Sequence, residues 1–207
     1  MNRNLGEFFL IAHGPLEDYP NDSAYLRNHY LPSLIATVDT ARRIYIRSLT
    51  IHLLMDCRTV SNLALVEKRR ALRELVEYGG RNSVDINLEN LSETAEDLDV
   101  VFHEVPSLCL TLDVGHANLD SSTNKSFEIV ERLGKMIRHV HLHDNSGGYS
   151  KNHDLHLPIG DGLVDFIGVM KSLRGIDYEG TITLEVKPEF QELSRMRIEE
   201  MVEETEG

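Results

Sequence analysis

Six apolar stretches of this chain each run into a side chain that can bind a divalent metal. They are EFFLIAH ending at His13, LTIH at His52, VDINLE at Glu89, LCLTLD at Asp113, RHVH at His141 and TITLE at Glu185. Three further candidates stand close by: His116, just past Asp113 in DVGH, and the Asp154-x-His156 pair. Imidazole and carboxylate donors together suit zinc, manganese, iron or cobalt. Ordinary core strands do not all end in His, Asp or Glu, so the pattern points to one shared metal site.

The elements that must position these groups alternate strand and helix. Helices are expected over 22–44, entered through Asp22 and Ser23 with Pro32 as a kink or break, and over 60–78, closed by Gly79-Gly80. Others are expected over 92–104, 124–136, 163–174 and 189–204. Such alternation implies a parallel sheet with right-handed crossovers and an active face at the C-terminal strand ends. Period-2 parity supports a barrel. Asp85 and Asn87 share a face with Glu89, the threonines 181 and 183 with Glu185, and His139 and His143 with His141. Thr111 likewise joins Asp113, and Thr50 joins His52. One face is therefore apolar and the other polar, whereas a doubly wound sheet would read as continuously apolar. Only six strands are visible, and an eight-stranded barrel takes about 250 residues. The expected fold is an incomplete TIM-type (β/α) barrel in one domain, 1–207, short of one or two βα units. Its open edge would be covered by other segments or by a homodimer partner.

The bulk numbers narrow the function. The chain has 207 residues, 41% hydrophobic and 27% charged, as in an ordinary globular protein. No apolar run approaches the roughly 20 residues that span a bilayer. The N-terminus lacks the apolar core of a signal peptide. Two cysteines, Cys57 and Cys109, provide no disulfide framework and read as structural. A reducing cytoplasm is the expected location. Net charge is −13, from 34 acidic and 21 basic residues, which disfavours a nucleic-acid partner. The densest basic run, Lys68-Arg69-Arg70 with Arg73, reads as a solvated helix face among glutamates.

INLEN around Glu89, LDVGHAN around Asp113 and His116, HVHLHDN around His141, DLHLPIGDG around Asp154 and His156, and TLEV around Glu185 resemble the xylose-isomerase-like barrels. That superfamily holds sugar isomerases and epimerases and also endonuclease IV. The resemblance spans nearly the whole chain, with the strand ending at His13 resembling the family's third. In the isomerase branch it implies one divalent ion (Mn, Zn, Co or Fe) held by Glu89, Asp113, His141 and Glu185. The two glutamates would also act as acid and base, and His116 would touch a small-molecule sugar substrate. In the endonuclease branch it implies up to three zinc ions on all nine candidates: His13, His52, Glu89, Asp113, His116, His141, Asp154, His156 and Glu185.

The leading expectation is a metal-dependent sugar or sugar-phosphate isomerase or epimerase. The wording of LDVGHAN and HDN…HLPIGDG favours it, and the loops GPLEDYPND, NLSETAEDLD and ANLDSSTN are acidic and short of Arg. The alternatives are a zinc phosphodiesterase acting on abasic DNA and a non-catalytic remnant barrel that binds a ligand or subunit. His139 reads as packed interior and His143 as support behind the ligands. His29, His103 and His153 read as surface. Gly160 and Gly162 read as either a phosphate cradle or a turn.

Overall fold

The computed structural model describes residues 9–149 and 151–204. Six strands lie in one parallel sheet in chain order: β1 Ala12–His13, β2 Ser48–Ile51, β3 Asp85–Glu89, β4 Cys109–Asp113, β5 Ile137–Leu142 and β6 Thr181–Leu184. Sequential parallel neighbours require a helical crossover on one side, and the sheet curls into an incomplete barrel. The helices are α1 Ser23–Tyr25, α2 Leu31–Arg43, α3 Asn62–Arg81, α4 Ala95–Glu104, α5 Val114–Ala117, α6 Ser126–Leu133, α7 Phe166–Gly175 and α8 Gln191–Glu204. No helix of the described residues is long and apolar enough to cross a membrane.

The strand parity works as the sequence implies. Leu49, Ile51, Ile86, Leu88, Leu110, Leu112, Val140 and Leu142 are buried to within about 1% and form the core beneath the helices. Burying each such side chain contributes roughly 1.5–3 kcal/mol. The other face is buried too, but polar. Thr50 and Thr111 share a hydroxyl hydrogen bond of 2.8 Å across the barrel, and Asn87 Nδ2 donates to Ser48 at 2.8 Å.

Local signals start the helices. Asp22 accepts from the backbone of Ala24 and Tyr25, Ser61 caps α3, and Thr94 with Asp97 forms a reciprocal capping box on α4. Pro32 does not break its helix. The chain takes one π-helical stretch, Leu26–Tyr30, and places Pro32 in the first turn of α2, where a missing N–H costs nothing.

Three expectations need correction. Gly79-Gly80 does not close α3, which continues to Arg81 and ends at Asn82. Gly79 is small for a different reason: a Cβ there would come within 2.5 Å of Val84 O, so the helix could not lie this close to β3. Lys68 is not on a solvated face. It is 1% exposed, and its Nζ donates to Glu17 at 2.8 Å and to Leu54 O at 2.7 Å. The Glu17 partner comes from a loop 51 residues away, which helical periodicity cannot reveal. The stretch ending at His13 is strand only over Ala12–His13, and its residues 7 and 8 fall outside the described residues.

Candidate functional site

The C-terminal strand ends bring all nine candidates to one mouth. His13, Glu89 and Asp113 are the last residues of β1, β3 and β4; His52 and Glu185 lie one residue past β2 and β6. His141 is in register with Asp113 on one side and Thr183 on the other. Asn90 locks two of these ends together: its Oδ1 accepts from Asp113 N and its Nδ2 donates to Asp113 O, both at 2.8 Å. Asp113 Oδ1 then accepts from His116 N at 2.6 Å, capping α5 and fixing where His116 stands. Tyr30 donates to His52 O and to Pro15 O, which holds the backbone beside His52.

Glu89, fully buried, is the hub. Its carboxylate lies 3.1 Å from His13 Nε2 and 3.1 Å from His52 Nε2. It lies 3.3 Å from His116 Nδ1 and 3.4 Å from His141 Nδ1. His141 Nδ1 is also 3.1 Å from Glu185. Two four-residue sets have donor atoms within 4.8 Å of one another: Glu89, Asp113, His141 and Glu185, and beside them His116, His143, Asp154 and His156. A third set, His13, Glu89 and His141, overlaps the first.

Buried polar atoms are normally hydrogen-bonded. Here Glu89 Oε1, Asp113 Oδ2, His141 Nδ1, both ring nitrogens of His143 and Asp154 Oδ1 are buried without such a partner. Partnerless lone pairs gathered at one point, from carboxylates and imidazoles, fit a divalent cation of the zinc or manganese type.

Charge balance within the site is tight. Burial opposes ionisation of Glu89, but the His116, His13, His141 and His52 rings around its carboxylate outweigh it and hold its carboxyl well below the usual range. Burial also opposes the Asp113 charge, and the His116 and His143 rings reverse the balance, lowering it. Asp154 is lowered as well: its burial is overcome by His116 and His156. The imidazoles move the other way. His13 is raised chiefly by its Glu89 hydrogen bond, and His156 is raised to about 9 by Asp154. Burial works against His116 and His141, yet the carboxylates around them raise both. His139, deeper in the barrel and bonded to Thr181, is lowered to about 4 by burial and by the His141 charge.

Comparison with known proteins agrees with this architecture. The family model described as xylose isomerase-like TIM barrel matches residues 6–201. The chain belongs to that family. Among solved structures, this xylose isomerase-like barrel is similar to a D-tagatose 3-epimerase-like protein: 27% identity, 95% of this chain and 78% of that chain covered, TM-score 0.80. It is 37% identical over 125 residues to an uncharacterized protein of Methanocaldococcus jannaschii, covering 56% of this chain and 41% of that protein. It is 29% identical over 124 residues to the L-ribulose 3-epimerase of a Methylomonas species, covering 56% and 40%. These matches therefore span about two-fifths of each curated relative's length.

Within this xylose isomerase-like barrel, the structure also places the residues around the nine candidates. His143 gathers with His116, Asp154 and His156 in one of the donor sets. β5 ends at Leu142, and the chain then bridges antiparallel from Asp144 to Leu157. That turn stacks the His143 ring on His156 at 3.8 Å and sets its Nε2 3.1 Å from Asp113. Of the two readings of Gly160 and Gly162, the turn is the one seen. Their N–H groups donate to Asp144 Oδ2 at 2.9 and 2.8 Å, folding the Asp154–His156 loop onto the barrel. Cys57 is exposed and Cys109 half-buried, both as free thiols. His29, His103 and His153 are exposed, as expected.

Proposed function

We propose that the chain carries a metal-dependent isomerase or epimerase site for sugars or sugar phosphates. The observation that carries this reading is the pair Glu89 and Glu185, both within 3.4 Å of the same His141 nitrogen, beside buried donor atoms that lack partners. Glu89, Asp113, His141 and Glu185 would hold the ion. When bound, it would polarise a substrate carbonyl and the neighbouring hydroxyl.

The chain's own groups would do the rest. One glutamate takes the proton from the carbon beside the carbonyl, leaving an enediolate. The other returns a proton, to the opposite face for epimerisation. Glu89 is held ionised, the form in which a carboxylate can accept a proton. Glu185, about a quarter exposed, can take up a proton from solvent between turnovers, and Glu89 would pass its own outward through His13, 3.1 Å away and partly exposed. His116 would orient a substrate hydroxyl from the neighbouring set. The acidic surface tolerates a small neutral sugar, and the epimerase relatives point to the same substrate class.

The test is a panel of ketoses and aldoses with manganese, cobalt or zinc. Glu185→Gln should lower turnover by about 10²–10⁴-fold. Undiminished turnover in that variant sinks the reading.

A second reading, a zinc phosphodiesterase, is favoured by one specific observation. His13, His52, His116, Asp154 and His156 share the mouth with the first four ligands, more donors than one ion uses. Elemental mass spectrometry of protein purified without chelator separates the two. About three zinc ions per chain and cleavage of abasic-site DNA support the second; one ion per chain supports the first.

A further inference from the structure

At the opposite, N-terminal end of the strands lies a concavity of about 500 Å³, where α2 and α3 end and β2 and β3 begin. Four guanidinium groups line it: Arg42, Arg43, Arg47 and Arg81, with Asn82 and Ser83 between them. We propose that this concavity binds a small polyanion carrying two or more phosphate groups.

The partner pattern of the arginines supports this. Arg27, Arg58, Arg69, Arg73, Arg132, Arg195 and Arg197 each pair with a carboxylate. Arg70 and Arg138 also lack a carboxylate partner among the described residues, but singly; the four in the concavity lack one together, although the chain carries 34 acidic side chains to 21 basic ones. Arg81 stands over the Tyr78 ring at 5.9 Å, and the Tyr78 hydroxyl occupies Asp39, so that carboxylate is already engaged. Helix dipoles explain part of the clustering, because Arg42, Arg43 and Arg81 close the last turns of α2 and α3. They do not explain Arg47, which enters β2 and faces the same space.

The site chemistry matches phosphate. Guanidinium forks bind phosphate oxygens two at a time, and four of them exceed what one monoanion needs. Tyr45, 91% exposed and held at φ +62°, adds an aromatic rim. The volume falls within the range of small-molecule sites. The barrel separates this concavity from the metal-type mouth, so its occupant is distinct from the substrate proposed there.

The experiment is calorimetric titration of the full chain with inorganic tripolyphosphate at low ionic strength. One saturable site is expected, weakened by salt. The double variant Arg43→Gln/Arg47→Gln should lose at least about tenfold in affinity, and Arg42→Gln/Arg81→Gln should do the same independently. All four side chains are exposed, so circular dichroism should be unchanged. Glu185→Gln, at the opposite mouth, should bind as wild type. No saturable binding overturns the proposal. So does wild-type affinity in both arginine pairs, or loss in Glu185→Gln. A single-stranded oligonucleotide that displaces tripolyphosphate at lower concentration assigns the face to nucleic acid and equally overturns it.

Discussion

Glu89 is fully buried, yet four imidazoles hold its carboxyl ionised, and the same contacts raise His13, His116 and His141. The site is therefore a network of shared protons, and its stability follows pH with a definite sign. His156 titrates near 9 when folded against about 6.5 unfolded, so its contribution is complete below 6.5 and is lost as pH rises through 9. The lowered carboxylates Glu89, Asp113 and Asp154 act oppositely. Their contribution is present above about pH 4 and is lost as pH falls through their folded values. A cation needs neutral imidazoles, so its binding expels protons and strengthens as pH rises. The increase in melting temperature on adding zinc or manganese should grow from pH 6 to pH 9. Thermal scans with and without metal across that interval test this, and a metal shift that ignores pH contradicts it. Asp144 offers a second residue-scale test outside the ligand set. Its carboxylate accepts from the backbone of Asn145, Gly160, Gly162 and Val164. Asp144→Ala leaves those donors unsatisfied and should cost about 3 kcal/mol, on the order of 10 °C in Tm.

Between elements, the packing of α3 on β3 separates two adjacent glycines. Gly79 has backbone within 2.5 Å of where a Cβ would sit, whereas Gly80 has nothing within 4 Å. Gly79→Ala should therefore destabilise by about 1–3 kcal/mol. Gly80→Ala, in a helix and unobstructed, should stabilise by about 0.5–1 kcal/mol. Chemical denaturation of both variants checks the pair, and equal effects would show that α3 does not lie as described. The two glycines also mark the limit of sequence reading. Helix-stop chemistry and close approach both call for glycine, and only the register of α3 against Val84 and Ile86 tells them apart. The strand ends were legible because parity and apolar runs are local signals, and the six candidates at those ends follow from them; His116, Asp154 and His156 rest instead on DVGH, on the Asp-x-His pair and on the family resemblance. Lys68 was misread because its partner Glu17 arrives through tertiary packing. His143 lies beside Asp113, as does His141 with which it shares strand parity, but its stacking on His156 comes through the loop that the Asp144–Leu157 bridge folds back, which parity cannot show.

At the scale of the whole molecule, the sheet has six strands with β1 and β6 at its edges. Among the described residues neither edge pairs with another strand, and the apolar surface beside them is open: Phe9 and Leu10 precede β1 at 69% and 58% exposure, and Ile182 lies in β6 at 42%. Unpaired backbone beside exposed apolar side chains is a template for association, since edge pairing satisfies amides and buries the apolar groups together. The edges also flank the metal-type mouth, because β1 ends at His13 and Glu185 follows β6. His13 and His156 are correspondingly among the most exposed of the nine candidates, at 36% and 37% of their side-chain surface. The 207-residue chain should therefore self-associate as a dimer that covers one or both edges and dries the mouth. Sedimentation velocity at micromolar concentration should show the dimer, and Ile182→Lys should shift it to monomer by placing a charge on the edge. If the mouth is shielded by that contact, turnover should fall with dilution through the dimer–monomer transition. A chain that sediments as a monomer at all concentrations while turning over at full rate would mean that six strands exclude water well enough unaided.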